Sequence, residues 1–374
     1  MTAVGSGIAS QIVYVPESTY GVAPSLSTVE SLEIKSETLE LKKTAVQGQG
    51  LHAGGRYDRN ARRVLTNYAV TGGLVLDLPT RFIGNLVQAM IGSYGYTLAT
   101  PTQIASTTIY KSVHWPKTPF LQGHSLCFQK GVPTVDGTVE PFTYVGCKIS
   151  DWEMSVATGA LAQLTLTIDG RNELAGAFPN GGASASGDPL NTSTPALATF
   201  NSIPSSGLDL SSFHFREATI FSGGTPTVVS NAVENLTTTG GSAVGNVRSA
   251  SVKHSVSLDN ARYFLGNSGF KAEQIENGFA SITGQFVVEW LSSEAMYAAF
   301  ASDTTTSLQI TLTGATVSTS NYLFDIIIPN IKLEGEAPKV SGPQVVTQSV
   351  NWTGLDDEST TPIQITLQNQ DTTL

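Results

Sequence analysis

The residues able to do chemistry are few and widely spaced. Five histidines, His52, His114, His124, His214 and His254, show no metal-ligand spacing and read as strand or loop residues with ordinary hydrogen bonds. Cys127 and Cys147 are the two cysteines. A single pair can neither build a disulfide framework nor fill a structural zinc site, so reduced core thiols are expected. Gly48-Gln49-Gly50-Leu51-His52-Ala53 mimics part of a dinucleotide fingerprint, but it lacks a following helix and a βαβ frame and reads as a flexible loop. Asp356, Asp357 and Glu358 could hold a calcium ion; three carboxylates without further ligands fit a solvated acidic turn better. The sequence holds no Walker A, HExxH, GxSxG or CxxC pattern. Carboxylates for glycoside hydrolysis exist, yet no aromatic-rich sugar platform surrounds a pair. The residues predict no enzyme, no bound metal and no cofactor.

Charge is more informative. Only 13% of the 374 residues are charged, about half the ~25% usual for a soluble domain, while 40% are hydrophobic and can build a core. Ser, Thr, Asn, Gln and Gly take the place of the missing charges, which predicts a surface that is either inert or covered in an assembly. The net charge of −10 argues against a protein that grips nucleic-acid phosphates. Residues 1–178 hold 13 acids and 13 bases, so the whole excess falls in the remainder. Four of those bases, Arg56, Arg59, Arg62 and Arg63, share one glycine-bearing loop. A basic loop in one half and an acidic surface in the other invite head-to-tail self-association. No apolar run approaches the ~18 residues of a membrane span. Met1 to Pro16 has no basic n-region and no sustained apolar run, so the sequence predicts no secretory signal and synthesis in a cytoplasm.

The elements that must position these residues are strands. Val70, Leu74, Leu76 and Leu78 alternate with Thr71, Gly73 and Asp77; Leu164, Leu166 and Ile168 with Gln163, Thr165, Thr167 and Asp169. Val252, Val256 and Leu258 alternate with Lys253, Ser255, Ser257 and Asp259; Ile282, Phe286, Val288 and Trp290 with Thr283, Gln285 and Glu289. Val346, Val350 and Trp352 alternate with Thr347, Ser349, Asn351 and Thr353. Period two predicts half-buried antiparallel strands. Two segments carry helical spacing instead. Arg81 to Gly92 places Phe82, Ile83, Leu86, Val87, Met90 and Ile91 on one stripe, and Ser292 to Ala301 places Met296, Tyr297 and Phe300 similarly, with Ser292 as N-cap and Glu294 in the first turn.

Ala69 to Asp77 resembles Ser281 to Glu289 with Gly72 and Gly284 aligned, and each strand precedes one of the helices. The order β-β-helix-β-β-β appears twice, predicting an internal duplication with Ser93 to Gln122 as extra loop in the first copy. The domains expected are 1–178 and 207–374, joined by a Gly/Ser/Pro-rich linker or surface excursion at 179–206. Long loops follow the first strand of each copy, Lys42 to Asn67 and Asn260 to Gly278; loops of this size usually reach for a partner.

This arrangement resembles the tail tube (major tail) proteins of long-tailed, non-contractile bacteriophages. The resemblance is carried by Glu17-Ser18-Thr19-Tyr20-Gly21, the strand Leu32 to Leu41 with its Gly/Arg loop, and the Thr71-Gly72 strand with its helix. It continues through Phe142-Thr143-Tyr144-Val145-Gly146-Cys147-Lys148-Ile149, then Ile328-Pro329-Asn330-Ile331-Lys332-Leu333 and Gly354-Leu355-Asp356-Asp357. It implies a mainly β fold, two tandem antiparallel sandwich or barrel tube domains with one flanking helix each, whose sheets join between subunits around a channel. It also implies rings that stack through the loop of Arg56, Arg59, Arg62 and Arg63, with DNA passing through the lumen without specific binding. A duplicated chain would form a trimer of pseudo-sixfold symmetry; without duplication, a hexamer. Other implied partners are the tape measure and tail-end proteins, within the virion tail and without a membrane. On the wet faces, Gln163, Thr165, Thr167, Gln285, Thr347, Ser349 and Asn351, with the acids Asp77, Asp169, Asp259 and Glu289, would line that lumen. A capsid decoration or adhesion module is the alternative, and a carbohydrate-active enzyme a third reading.

Overall fold

The computed structural model describes residues 10–26, 32–50, 53–91, 101–105, 107–116, 124–134, 138–175, 211–229, 232–236, 239–290, 295–335 and 342–374, with positions 7, 29, 190, 197–198, 337–338 and 340. The chain is mainly β. Its first half runs β1 (Gln11–Pro16), β2 (Ser36–Glu37), β3 (Glu40–Gln47), β4 (Arg63–Asp77), α1 (Gly84–Ile91), β5 (Thr102–Gln103), β6 (Tyr110–His114), β7 (Leu126–Pro133), β8 (Val139–Ala157), β9 (Gln163–Gly170) and β10 (Asn172–Ala175). The second half runs β11 (Ala218–Ser222), β12 (Val228–Val229), β13 (Ala232–Val233), β14 (Ser242–Ala243), β15 (Val247–Ser255), β16 (Ser281–Glu289), α2 (Ala295–Ala301), β17 (Thr306–Val317), β18 (Ser320–Gly335), β19 (Thr347–Gly354) and β20 (Gln364–Asn369).

Each half is organised by one strand too long for a single layer. The C-terminal part of β8 pairs with β9, which pairs with β4; its N-terminal part pairs with β7 and β10, and β7 with β1. A register shift between Ile149 and Asp151 marks the crossing, the place where a bulge bends a strand from one layer into another. In the second half β18 does the same. Its C-terminal part pairs with β19 and β19 with β16, while its N-terminal part pairs with β17 and β20 and β17 with β11. The alternating residues explain the layering: Val70, Leu74, Leu76, Leu164, Leu166 and Ile168 are buried against Leu86, Val87 and Met90 of α1. Trp152 Nε1 donates to Met90 O at 3.2 Å, tying helix to strand. The aligned glycines have steric causes. A Cβ on Gly72 (φ +150°) would lie 2.4 Å from Thr38 O, and one on Gly284 2.2 Å from Trp352 Cζ2.

The structure departs from the sequence reading at several points. Helix α1 begins at Gly84 rather than Arg81, because Phe82 has φ 62° and the C-terminal Asp371 holds Arg81 Nη2 at 2.8 Å and accepts from Phe82 N at 2.7 Å. The start assigned to Ser292 and Glu294 lies outside the described residues, and Tyr297 of α2 is 37% exposed. Lys42 to Asn67 is not a plain loop. β3 and β4 continue as a hairpin arm to the pair Gln47↔Arg63. Part of Ser93 to Gln122 forms β5 and β6, and β6 adds to β20 of the second half through Ile365↔His114 to Asn369↔Tyr110. Ser112, Val113 and His114 are buried in succession, so this strand has no alternation to read. Positions 179–206 lie outside the described residues except 190 and 197–198.

The two halves share one sheet. β15 pairs antiparallel with β8 from Ser249↔Ala157 to Ser255↔Asp151, which makes one continuous layer of β3, β4, β9, β8, β15, β16, β19 and β18.

Candidate assembly interface

One face of that layer is open and polar. Its rows run across both halves: Val75, Thr165, Glu153, Lys253, Thr283, Thr353 and Lys332 in one, and Asp77, Gln163, Ser155, Ser251, Gln285, Asn351 and Glu334 in the next. Thr165, Thr167, Gln285, Ser349 and Asn351 are exposed there, and Asp77, Gln163, Glu289 and Thr347 are half-buried. Gln285 Nε2 donates to Asn351 Oδ1 at 2.7 Å. Bases the sequence reading did not weigh also stand on this face or at its rim, most of them engaged by acids. Lys35 lies 3.3 Å from Asp77, Arg248 2.6 Å from Glu289 and Lys332 2.8 Å from Asp303. The Arg248 hydrogen bond holds the Glu289 carboxyl below its ordinary range. Lys253, whose direction alternation alone left open, points to this face opposite Glu153.

Two of the proposed face residues are elsewhere. Asp259 lies beyond the end of β15, where Ser257 (φ 54°) turns the chain, and its carboxylate accepts from Ala261 N at 3.1 Å. Asp169 has the right parity but is buried: Lys271 Nζ reaches its two oxygens at 2.6 and 2.8 Å, and Gln274 Nε2 donates to it at 2.8 Å. The segment 256–280 of the second half therefore finds its partner in the first half of the same chain. Lys148 Nζ, 2% exposed, meets Glu273 at 2.9 Å and Gln274 O at 2.8 Å. Arg171 Nη1 donates to Lys271 O at 2.6 Å, and Phe270 stacks on Tyr68 at 4.9 Å. Burial lowers the Lys148 pKa and raises that of Glu17 to about 7, although Gly146 N and Gly21 N donate to Glu17. Nothing local in the sequence links Lys271 to Asp169, 102 positions apart.

The seam between halves carries a buried histidine. His254 lies opposite Trp152 in register, with ring centroids 5.8 Å apart. Burial pushes the pKa of His254 down to about 4, and that of His114 likewise. A folded-state value below the unfolded ~6.5 means stability is intact above pH 6.5 and declines as pH falls toward 4. Glu17 at about 7 and Asp325 at about 6 act the other way, since burial favours their protonated forms. The informative measurement is thus differential. The melting-temperature gap between wild type and His254→Gln, read from pH 7 to pH 4.5, should move in favour of the variant as pH falls; a constant gap would refute the seam's proton linkage.

The hairpin arm holds Arg56, Arg59, Arg62 and Arg63, all exposed. Among the described residues none of the four is in a salt bridge. Apolar side chains accompany them: Tyr57 is 91% exposed, and Val46, Val64 and Leu65 are also open to solvent. Asp356 and Asp357 are committed to their own turn, accepting from Glu358 N, Ser359 N and Thr360 N. Though partial burial opposes it, the N–H groups of Thr360 and Ser359 hold the Asp357 carboxyl well below its usual range. Cys127 and Cys147 are buried free thiols, pushed up in pKa by that burial.

Among the described residues β3 pairs only with β4, and Lys332 to Gly335 of β18 only with β19. An extended antiparallel sheet with one polar open face, an exposed hairpin arm and strand edges left unpaired among the described residues defines a mainly β protein. The chain matches the family described as phage tail tube protein over residues 7–354, and it belongs to that family. It is therefore a structural component of the virion tail. No curated protein matches the chain.

Proposed function

We propose that the chain carries two copies of one tube domain and that three chains close into a ring of six, the rings stacking into the tail tube of a long-tailed, non-contractile phage. The observation that carries this reading is the β8–β15 seam, where one copy already adds its sheet edge to the other. The remaining edges, Ser36–Gln47 and Lys332–Gly335, are the counterparts of the two strands of that seam. A head-to-tail contact of this kind generates a closed ring or an open helix, and closure removes exposed edges. The open polar face would line the lumen, where Thr165, Thr167, Gln285, Ser349 and Asn351 offer no charge. The bases flanked by acids are poor replacements for phosphate counterions, so DNA would pass without being held. The arm of Arg56, Arg59, Arg62 and Arg63 would join ring to ring, and the tape measure and tail-end proteins would meet the tube inside and at its ends.

Negative-stain microscopy of the purified protein, with the tail-end complex added as nucleus, tests the reading. Hollow tubes whose rings show three chains and sixfold appearance are expected. Discrete monomers, and virion tail shafts lacking the protein, would sink it; rings of six chains would remove the duplication from the reading.

A further inference from the structure

At its open edge β18 lacks what its counterpart β8 possesses. With Gly72↔Ile168 set beside Gly284↔Trp352, Leu166 corresponds to Val350, and through their partners Trp152 corresponds to Gly335 and Asp151 to Glu334. Trp152 fills the core beneath α1, whereas Gly335 supplies no side chain, and Ala337 is exposed where Met154 is buried. Close to this edge lies a groove of about 270 Å³, lined by Val288, Trp290, Ala299, Leu333 and Gln348 and closed on its far side by residues 222–223 and 242–245. Trp290 is 39% exposed beside it, although its place in the alternation predicts burial.

The other open edge carries Leu41, half-buried on its own core, and Lys42, exposed beside Glu40. By the pairings with β4 and β16, Leu41 corresponds to His254 and Lys42 to Ser255. Inside the chain His254 faces Trp152 and Ser255 faces Asp151. Transferred to two copies, the same register sets Leu41 against Gly335 on the core side and Lys42 against Glu334 on the open face.

We propose that the Trp290–Leu333 groove is the seat of Leu41 from a second copy of this chain, with Lys42 paired to Glu334 of that neighbour. This rests on the ring reading above and gives it a specificity device. Within a chain the seam is Trp against His; between chains it is Gly against Leu with a Lys–Glu pair. Because β8 is already paired with β15 inside the chain, a Leu41 edge finds only β18 open, so the two kinds of seam alternate.

The test is a Lys42→Cys/Glu334→Cys protein. Paired antiparallel residues lie within ~4.5–5.5 Å at Cα, inside disulfide range, and the native thiols are buried. Oxidised tubes should give linked species that stop at three chains. Adding Gly335→Trp, where a Cβ meets only Ser349 O at 3.5 Å, should cut the three-chain yield at least tenfold by placing an indole where Leu41 must lie; Leu41→Ser should do so by removing the group that enters the groove. Tubes that assemble but stay unlinked, linked ladders running past three chains, or unchanged yields in both groove and seat variants would each overturn the inference while leaving tube formation intact. Failure of the unmodified protein to form tubes would instead count against the function proposed.

Discussion

Lys271→Ala is expected to cost about 3–5 kcal/mol of folding stability, the range for removing one partner of a buried ion pair. Lys271 is 1% exposed and its ammonium contacts both oxygens of Asp169, which has Gln274 Nε2 as its other side-chain donor. Truncation leaves a carboxylate under the 256–280 segment with one neutral donor in place of a cation. The same residue also anchors the segment through its backbone, since Arg171 Nη1 donates to its main-chain carbonyl. Urea unfolding should show a lowered midpoint with little change in slope, and trypsin should cut at Arg262 faster. Asp169→Asn combined with Lys271→Met removes both charges and should recover most of the loss, because replacing a whole buried pair is far cheaper than halving it. A single variant within 1 kcal/mol of wild type would mean the pair is hydrated and the lock unimportant.

That lock marks the limit of what alternation can reveal. Period-two spacing reports which face of a strand is apolar, and it located the core correctly at Leu74, Leu166, Phe286 and Trp352. It reports nothing about a segment that later lies down on the polar face, so Asp169 reads as open although Lys271 covers it. The same blindness makes Lys42 to Asn67 and Asn260 to Gly278 look alike as long loops. One continues a ladder that both its strands can support; the other folds over a neighbouring half through contacts a hundred positions away. Strand β6 shows no alternation for a different reason: Ser112, Val113 and His114 are buried in succession, with no wet residue between them. The arginines of the arm were visible because composition alone concentrates them, and exposure needs no tertiary knowledge.

Those arginines support the second large effect. Replacing Arg56, Arg59, Arg62 and Arg63 by Glu should abolish tube growth while leaving the folded chain intact. Each exchange moves the net charge by two, from −10 to −18 in all. The side chains are exposed and form no salt bridge among the described residues, so each change should shift stability by no more than ~0.5 kcal/mol. Assembly differs because in the proposed stacking the arm's positive charge would meet the half that carries the whole acidic excess; reversal would turn attraction into repulsion at that contact and slow encounter by roughly ten- to a thousand-fold. Sedimentation should find the variant below tube size at concentrations where wild type polymerises, with a melting temperature within a few degrees of wild type. Salt supplies an independent check. At ~1 M the screening length falls to about 3 Å, so wild-type growth should slow and the gap to the variant should narrow. Equal tube growth by both proteins at low salt would refute the arm's role in stacking.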